Sequence, residues 1–282
     1  MSLANAEELE LKVPGGRLEA RRYGPVEGPL VLCVPGLSAN LMHFGAMAPG
    51  LAEAGLQVVA VDLRGRGRSE VTPPGTYGWP AHARDVLGAA EALGRSRFTV
   101  AGWSMGAYVA MAAATQARER LDRVVLIDAL GDAPAEFVTL LDVSLSRLGN
   151  AYPSLPDYLA LVRGAGPFTP WSEDWERYFE YEMAEVAGGV RTRTSAEAVR
   201  EDLEYGKAHH ADQLWGPLTM PVLLVRATRP SMEGMPLVIP PDDRDRFLAS
   251  HPNARCVEVE ATHYNIGFEP AAITAVREFL TS

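Results

Sequence analysis

The amino-acid sequence predicts an α/β protein: an open, mostly parallel sheet with helices on both faces and a helical insertion. Three observations carry this expectation. Short runs such as Leu30–Val34 and Val124–Ile127 are almost wholly apolar and end at turn residues, as strands buried on both faces do. These runs alternate four times with helical stretches joined by short links, the pattern of a parallel sheet with crossover helices. The alternation stops after Asp128 and resumes only at Val222.

Each element follows in order. Leu9 to Val13 and Arg17 to Tyr23 flank Pro14-Gly15-Gly16, which predicts a hairpin. Leu30–Val34 ends at Pro35-Gly36, and a helical stretch spans about Met42 to Ala54. Gln57 to Asp62 reads as the next buried strand, followed by the glycine-rich Arg64 to Ser69. Tyr77 to Leu93 reads as a helix with Gly94 closing it. Phe98 to Gly102 is a strand, Met105 to Gln116 an alanine-rich helix, and Val124 to Asp128 a strand again. Residues 131–215 hold no convincing buried strand. They show helical windows at Phe137–Leu148, Leu155–Arg163, Glu173–Val186 and Ser195–Tyr205, and they are dense in aromatics. The sheet returns with Val222–Arg226 and Arg255–Val259, and Ala271–Leu280 supplies a last helix. The expected division is a core of residues 1–130 and 216–282 with an insertion at 131–215.

Composition narrows the function classes. The chain has 282 residues with 26 basic and 36 acidic side chains, a net charge of -10. Such a length suits one large core with a smaller subdomain. The acidic balance argues against a nucleic-acid partner, which wants a basic patch. Residues 1–12 are too acidic for a signal peptide. Apolar runs such as Val109–Ala114 fall far short of the roughly 18–20 residues that span a bilayer. A cytoplasmic protein with no membrane partner is the expectation, with oligomerisation left open. Cys33 and Cys256 lie in strands and read as buried free thiols. No CxxC pair or cysteine–histidine spacing suggests a metal, so neither metal nor cofactor is expected.

The sharpest local signal is Gly102-Trp103-Ser104-Met105-Gly106, where an apolar strand gives way to a helix. Such a turn lifts the serine hydroxyl clear of the sheet at its carboxyl edge, where open α/β sheets bind ligands. Serine needs a base, and His263 follows the last strand at the same edge. His43, His82, His209, His210 and His251 lack comparable placement, and adjacent His209 and His210 diverge on a helix. Asp128 ends the strand after the serine helix and is the candidate partner of the histidine, although a strand-terminal aspartate also caps the next segment. The order Ser104, Asp128, His263 is the one this geometry uses. Oxyanion donors are expected from the backbone amides of Met105, at the helix start, and Leu37, after Pro35-Gly36. Arg64 to Ser69 matches neither a phosphate-binding nor a dinucleotide fingerprint and reads as a turn whose arginines are partly salt-bridged.

These pieces together resemble the cap-bearing branch of the α/β-hydrolase superfamily, over essentially the whole chain. The resemblance rests on Val34-Pro35-Gly36-Leu37, Asp62 to Ser69, Gly102 to Gly106 and His263 in that order. It implies an α/β-hydrolase sheet with a helical cap at 131–215. Family members often carry His-Gly where this chain has Pro35-Gly36. The family acid usually follows the seventh strand, but here that strand runs into Arg226-Ala227-Thr228-Arg229-Pro230, without a carboxylate. Asp128 matches the branches whose acid follows the sixth strand, certain lactonases among them. Glu233 to Pro241 is a long proline-bearing loop that either lines the pocket or joins elements.

The resulting expectation is a serine hydrolase cleaving a small, moderately apolar ester or lactone, with Trp103, Phe168, Trp171 and Trp175 as pocket candidates or core. Alternatives are an amidase, a carbon–carbon bond hydrolase using Arg191, Arg193 or Arg229 to hold an acid, and a non-catalytic ligand-binding protein.

Overall fold

A computed structural model describes residues 6–164 and 166–282. The main sheet has eight strands: β1 (Glu7–Val13), β2 (Gly16–Tyr23), β3 (Leu30–Val34), β4 (Gln57–Val61), β5 (Phe98–Trp103), β6 (Leu121–Ile127), β10 (Val222–Ala227) and β11 (Ala254–Val259). Their spatial order is β1-β2-β4-β3-β5-β6-β10-β11. The hairpin β1–β2 and the β2–β4 pair are antiparallel, and every other pairing is parallel.

Strand alternation sorts the apolar side chains onto two faces. Leu30, Leu32 and Val34 of β3, Val124 and Leu126 of β6, and Val222 and Leu224 of β10 join one core. Helices α2 (Trp79–Ala92) and α3 (Met105–Ala117) cover it. Val31, Cys33, Val125, Ile127, Leu223 and Val225 point the other way, under α1 (Met47–Ala52) and α9 (Pro270–Thr281). Double burial explains why these strands lack a polar face. The helical stretch expected at Met42–Ala54 is divided into a 3₁₀ turn at Leu41–Phe44 and α1.

Strand order reverses between β3 and β5, since β4 lies on one side of β3 and β5 on the other. Loops leaving neighbouring strands at such a switch diverge and open a crevice at the carboxyl edge. The loops after β3 and β5 carry Leu37 and Ser104.

Between β6 and β10 lies the cap. It contains α4 (Ala135–Leu145), α5 (Leu155–Gly164), α6 (Glu173–Glu182) and α7 (Ala196–Ala208), and α8 (Pro241–Ser250) follows β10. It also contains a small antiparallel sheet, β7 (Ala151–Tyr152), β9 (Gly189–Thr192) and β8 (Met183–Val186), in that spatial order. The helix expected over Glu173–Val186 therefore stops at Glu182, and the chain continues extended as β8. Trp175, Tyr178, Phe179 and Glu182, at helical spacing on α6, are buried. At the cap's two ends, Trp215 Nε1 donates to the Leu130 carbonyl at 3.0 Å, so the insertion leaves and re-enters the sheet at one place. Among the described residues, no helix is long and apolar enough to cross a membrane.

Candidate active site

Ser104 sits between β5 and α3 with φ 55° and ψ -126°, a conformation that L-residues rarely adopt. Two glycines make the turn sterically feasible. A Cβ on Gly106 would lie 2.0 Å from the Val34 carbonyl oxygen, and one on Gly102 would lie 2.0 Å from the Gly106 oxygen. The Ser104 amide donates to Ile127 O at 3.0 Å, so the end of β6 helps to hold the turn.

Asp128 also has positive φ, 48°. Its amide donates to Val225 O at 2.8 Å, and its Oδ1 accepts from the Ala227 amide at 2.8 Å. The β10 terminus thus orients a carboxylate that belongs to the β6 terminus. Its other oxygen, Oδ2, lies 2.9 Å from His263 Nδ1. A carboxylate only accepts, so Nδ1 carries the proton and Nε2 is left with a lone pair. Nε2 is 3.0 Å from Ser104 Oγ and accepts from that hydroxyl. Asp128 and His263 are almost fully buried, whereas Ser104 is partly exposed. Trp103 Nε1 donates to the His263 carbonyl at 3.0 Å, which anchors the histidine loop.

Ser104 opens into a cavity of about 200 Å³. Leu37 and Met105 line it beside Ser104, and so do Trp79, Tyr108, Phe137, Leu141, Leu203 and Val238. The walls are chiefly apolar, and Val238 comes from the proline-bearing loop after β10. The Phe137 ring meets the His263 ring edge-on, with centroids 4.9 Å apart. Asp132, Asp202, Lys207, His209 and His210 are the acidic and basic side chains of the lining. His210 Nδ1 donates to Asp132 at 2.6 Å. The His209 ring stacks on Tyr205 instead, so the two adjacent histidines diverge.

The four aromatic pocket candidates lie elsewhere. Trp103 stacks on His43, with centroids 3.5 Å apart. Phe168 and Trp175 pack with Phe179, and Trp175 Nε1 donates to Asn265 Oδ1 at 2.7 Å. Trp171 stacks on Phe179. All four belong to or border the core under α1 and α9, whereas Leu203, Leu141 and Val138 of the cavity join the opposite core. The aromatic stripe of α6 fastens the cap to the sheet and does not wall the cavity. Arg191, Arg193 and Arg229 are likewise absent from its lining.

Two buried carboxylates surround the loop after β3. Asp62 accepts from the Leu41 amide (2.7 Å), the Arg68 amide (2.9 Å) and the hydroxyl of the cap residue Tyr181 (2.7 Å). Burial pushes its pKa up to about 6 against the opposing pull of these three donors. Asp202 of α7 accepts from Arg66 Nη2 (2.6 Å), His82 Nε2 (2.8 Å) and the Gly78 amide (2.6 Å). Burial pushes the Asp202 pKa up too, but Arg66, His82 and the Gly78 amide outweigh it and hold the carboxyl well below its ordinary range. Arg64 forms a fork with Asp85, at 2.6 Å through both Nε and Nη2. The composition of the glycine-rich loop announced arginine ion pairs, but not their partners, which lie in α2 for Arg64, in α7 for Arg66 and in β1 (Glu8) for Arg68.

With this geometry in place, comparison assigns the class. Residues 29–174 match the family described as the alpha/beta hydrolase fold, and the chain belongs to it. A serine hydrolase-like protein of Danio rerio is 36% identical over 132 residues, 46% of this chain and 40% of that protein. The N-formylmaleamate deformylase of Pseudomonas putida is 34% identical over 161 residues, 54% of each chain. The chain thus spans about half the length, or less, of these curated relatives. The crystal structure of E-2-(acetamidomethylene)succinate hydrolase superimposes with a TM-score of 0.88 at 22% identity, covering 99% of this chain and 100% of that one. That likeness establishes the shared fold.

Proposed function

We propose that this chain is a serine hydrolase that cleaves a small organic acyl compound through an acyl-enzyme, with an N-acyl bond as the preferred target. The observation that carries the reading is the unbroken line from Asp128 through His263 to Ser104, opening into a cavity lined by Leu37 and Met105. The cap is residues 131–215, over a core of 1–130 and 216–282.

The steps follow from the geometry. His263 Nε2 takes the Ser104 proton as Oγ attacks the carbonyl carbon. Asp128 holds Nδ1 protonated and stabilises the imidazolium. The amides of Leu37 and Met105 stabilise the oxyanion. The protonated Nε2 then returns its proton to the leaving nitrogen as the carbon–nitrogen bond breaks. Water, deprotonated by His263 Nε2, attacks the acyl carbon. Nε2 then gives that proton to Ser104 Oγ as the bond from Oγ to the acyl carbon breaks and the carboxylic acid leaves.

The N-acyl preference is supported by the relative named for removing an N-formyl group. A cavity of about 200 Å³ suits a short acyl group. The ester or lactone expected from the sequence is the second reading, favoured by the chiefly apolar walls. The carbon–carbon reading loses support because the three arginines it called on do not line the cavity.

The test is a panel of N-formyl and N-acetyl amides, p-nitrophenyl esters and lactones, assayed with wild type and Ser104→Ala. Turnover of N-acyl substrates that vanishes in Ser104→Ala supports the proposal. Hydrolysis restricted to esters and lactones shifts it to the second reading. Turnover unchanged in Ser104→Ala overturns the mechanism.

A further inference from the structure

The segment from Leu37 to Leu41 is held at both ends by groups that reach into the cap. At one end, Arg66 Nε donates to the Leu37 carbonyl at 2.9 Å, while its Nη2 donates to Asp202 of α7 at 2.6 Å. Its Nη1 donates to the Arg64 carbonyl at 3.1 Å. The Arg66 and Asp202 side chains are fully buried. At the other end, the Leu41 amide donates to Asp62, which also accepts from the Tyr181 hydroxyl at the end of α6. Between them, Asn40 Nδ2 donates to the Tyr178 carbonyl at 3.3 Å.

We propose that Arg66, braced by Asp202, is a positioning residue that sets the oxyanion donor at Leu37 and makes its geometry depend on the seating of the cap. This rests on the serine-hydrolase reading above. A buried guanidinium is costly unless its donors are satisfied in a fixed fork. Here the fork spans three elements: the loop after β3, its own loop after β4, and α7. Fixing the Leu37 carbonyl restricts the backbone that carries the Leu37 amide. An oxyanion donor acts through placement of a fraction of an ångström, so loosening this brace reduces transition-state stabilisation more than ground-state binding. Asp202 carries the brace further, because it also accepts from His82 of α2 and from the Gly78 amide. The clamp at Leu41 makes a separate prediction through Tyr181, whose ring can stay in place when its hydroxyl is removed.

The experiment compares wild type with Arg66→Lys, Asp202→Asn and the milder Tyr181→Phe. Four quantities are read: kcat, KM, the rate of Ser104 labelling by a small fluorophosphonate, and backbone hydrogen exchange over residues 36–41. Arg66→Lys keeps the charge but cannot reproduce the three-way fork. It is expected to lower kcat and the labelling rate about 10- to 100-fold, with KM within about threefold and faster exchange over 36–41. Tyr181→Phe is expected to accelerate the same exchange with a smaller fall in kcat. If Arg66→Lys and Tyr181→Phe both keep wild-type kcat and wild-type exchange, the clamp is overturned. A rise in KM alone overturns it too, since that is loss of binding. If wild type itself is not labelled and hydrolyses nothing, the hydrolase reading falls, and the catalytic role of Arg66 falls with it, whatever the exchange shows.

Discussion

Ser104 and Asp128 share a positive backbone φ: they are the only non-glycine residues among those described to have one, at 55° and 48°. Both stand one residue beyond neighbouring parallel strands, and His263 joins their side chains. Residues kept in such regions cost on the order of 1–3 kcal/mol and persist where the surroundings over-determine them. Glycine relieves the penalty at Ser104, whereas alanine keeps a Cβ and does not. Ser104→Gly should therefore melt at a higher temperature than Ser104→Ala, by the equivalent of about 1 kcal/mol once glycine's extra unfolded-state entropy is set against the relief. Neither variant should be labelled by a fluorophosphonate. Equal melting of the two variants would remove strain from the description of this turn.

Asp128→Asn separates fold from chemistry. An asparagine carbonyl can still accept from the Ala227 amide, so the β6–β10 junction keeps its bond. Its amide nitrogen then faces His263 Nδ1 and can only donate. That selects the tautomer with the proton on Nε2, which cannot accept from Ser104. Turnover should fall by about 10⁴-fold, as tautomer errors in such triads do, with the melting temperature close to wild type. Retained turnover would reassign the carboxylate as a cap for the segment after β6.

The strands of the parallel sheet are legible in the sequence because double burial leaves apolar runs, as in β3 and in Val222–Val225 of β10. Ser104 is legible because it follows the buried run of β5 and opens a helix. His263 is legible because it follows the last strand, β11, although that strand carries Arg255 and Glu258 and is only partly buried. The small cap sheet is not, for a physical reason. Met183–Val186 and Gly189–Thr192 are four-residue strands with mixed burial, and the helical spacing of α6 leads straight into β8 without a breaker. Cavity walls are illegible for a different reason. Periodicity says that Trp175 and Phe179 are buried, but not on which side of the sheet, and they lie in the core opposite the cavity. Arg66 and Asp202 are 136 residues apart, a pairing that only the folded chain reveals.

Asp202 should leave a signature in acid. Its pKa is depressed in the folded chain, so the unfolded chain takes up the proton first as pH falls. Its stabilisation is present above the unfolded value of about 4 and is lost progressively below it. Asp62 acts in the opposite sense. Raised to about 6, it binds its proton first in the folded chain and favours the fold as pH drops from about 6 to about 4. Thermal melts from pH 3 to 7 should show wild type losing stability below pH 4 more steeply than Asp202→Asn. At pH 7 that variant should already be weaker, by about 3–5 kcal/mol, because Arg66 loses its buried counter-charge. Parallel acid limbs for the two proteins would exclude Asp202 as a source of acid sensitivity.

Phe137 limits the cavity on the α4 side and touches His263 edge-on. Removing the ring lengthens the space next to the attacked carbonyl. Phe137→Ala should therefore favour longer acyl chains. Each methylene accommodated in an apolar pocket is worth about 1–3 kcal/mol of discrimination. The ratio of kcat/KM for hexanoyl over acetyl substrates should rise at least tenfold. The same deletion removes a contact that steadies the imidazole, so kcat for the acetyl substrate should fall by several-fold. A ratio unchanged from wild type would mean that the acyl chain runs along a different wall, toward Trp79 and Tyr108. The corresponding Tyr108→Ala comparison would then show the shift instead.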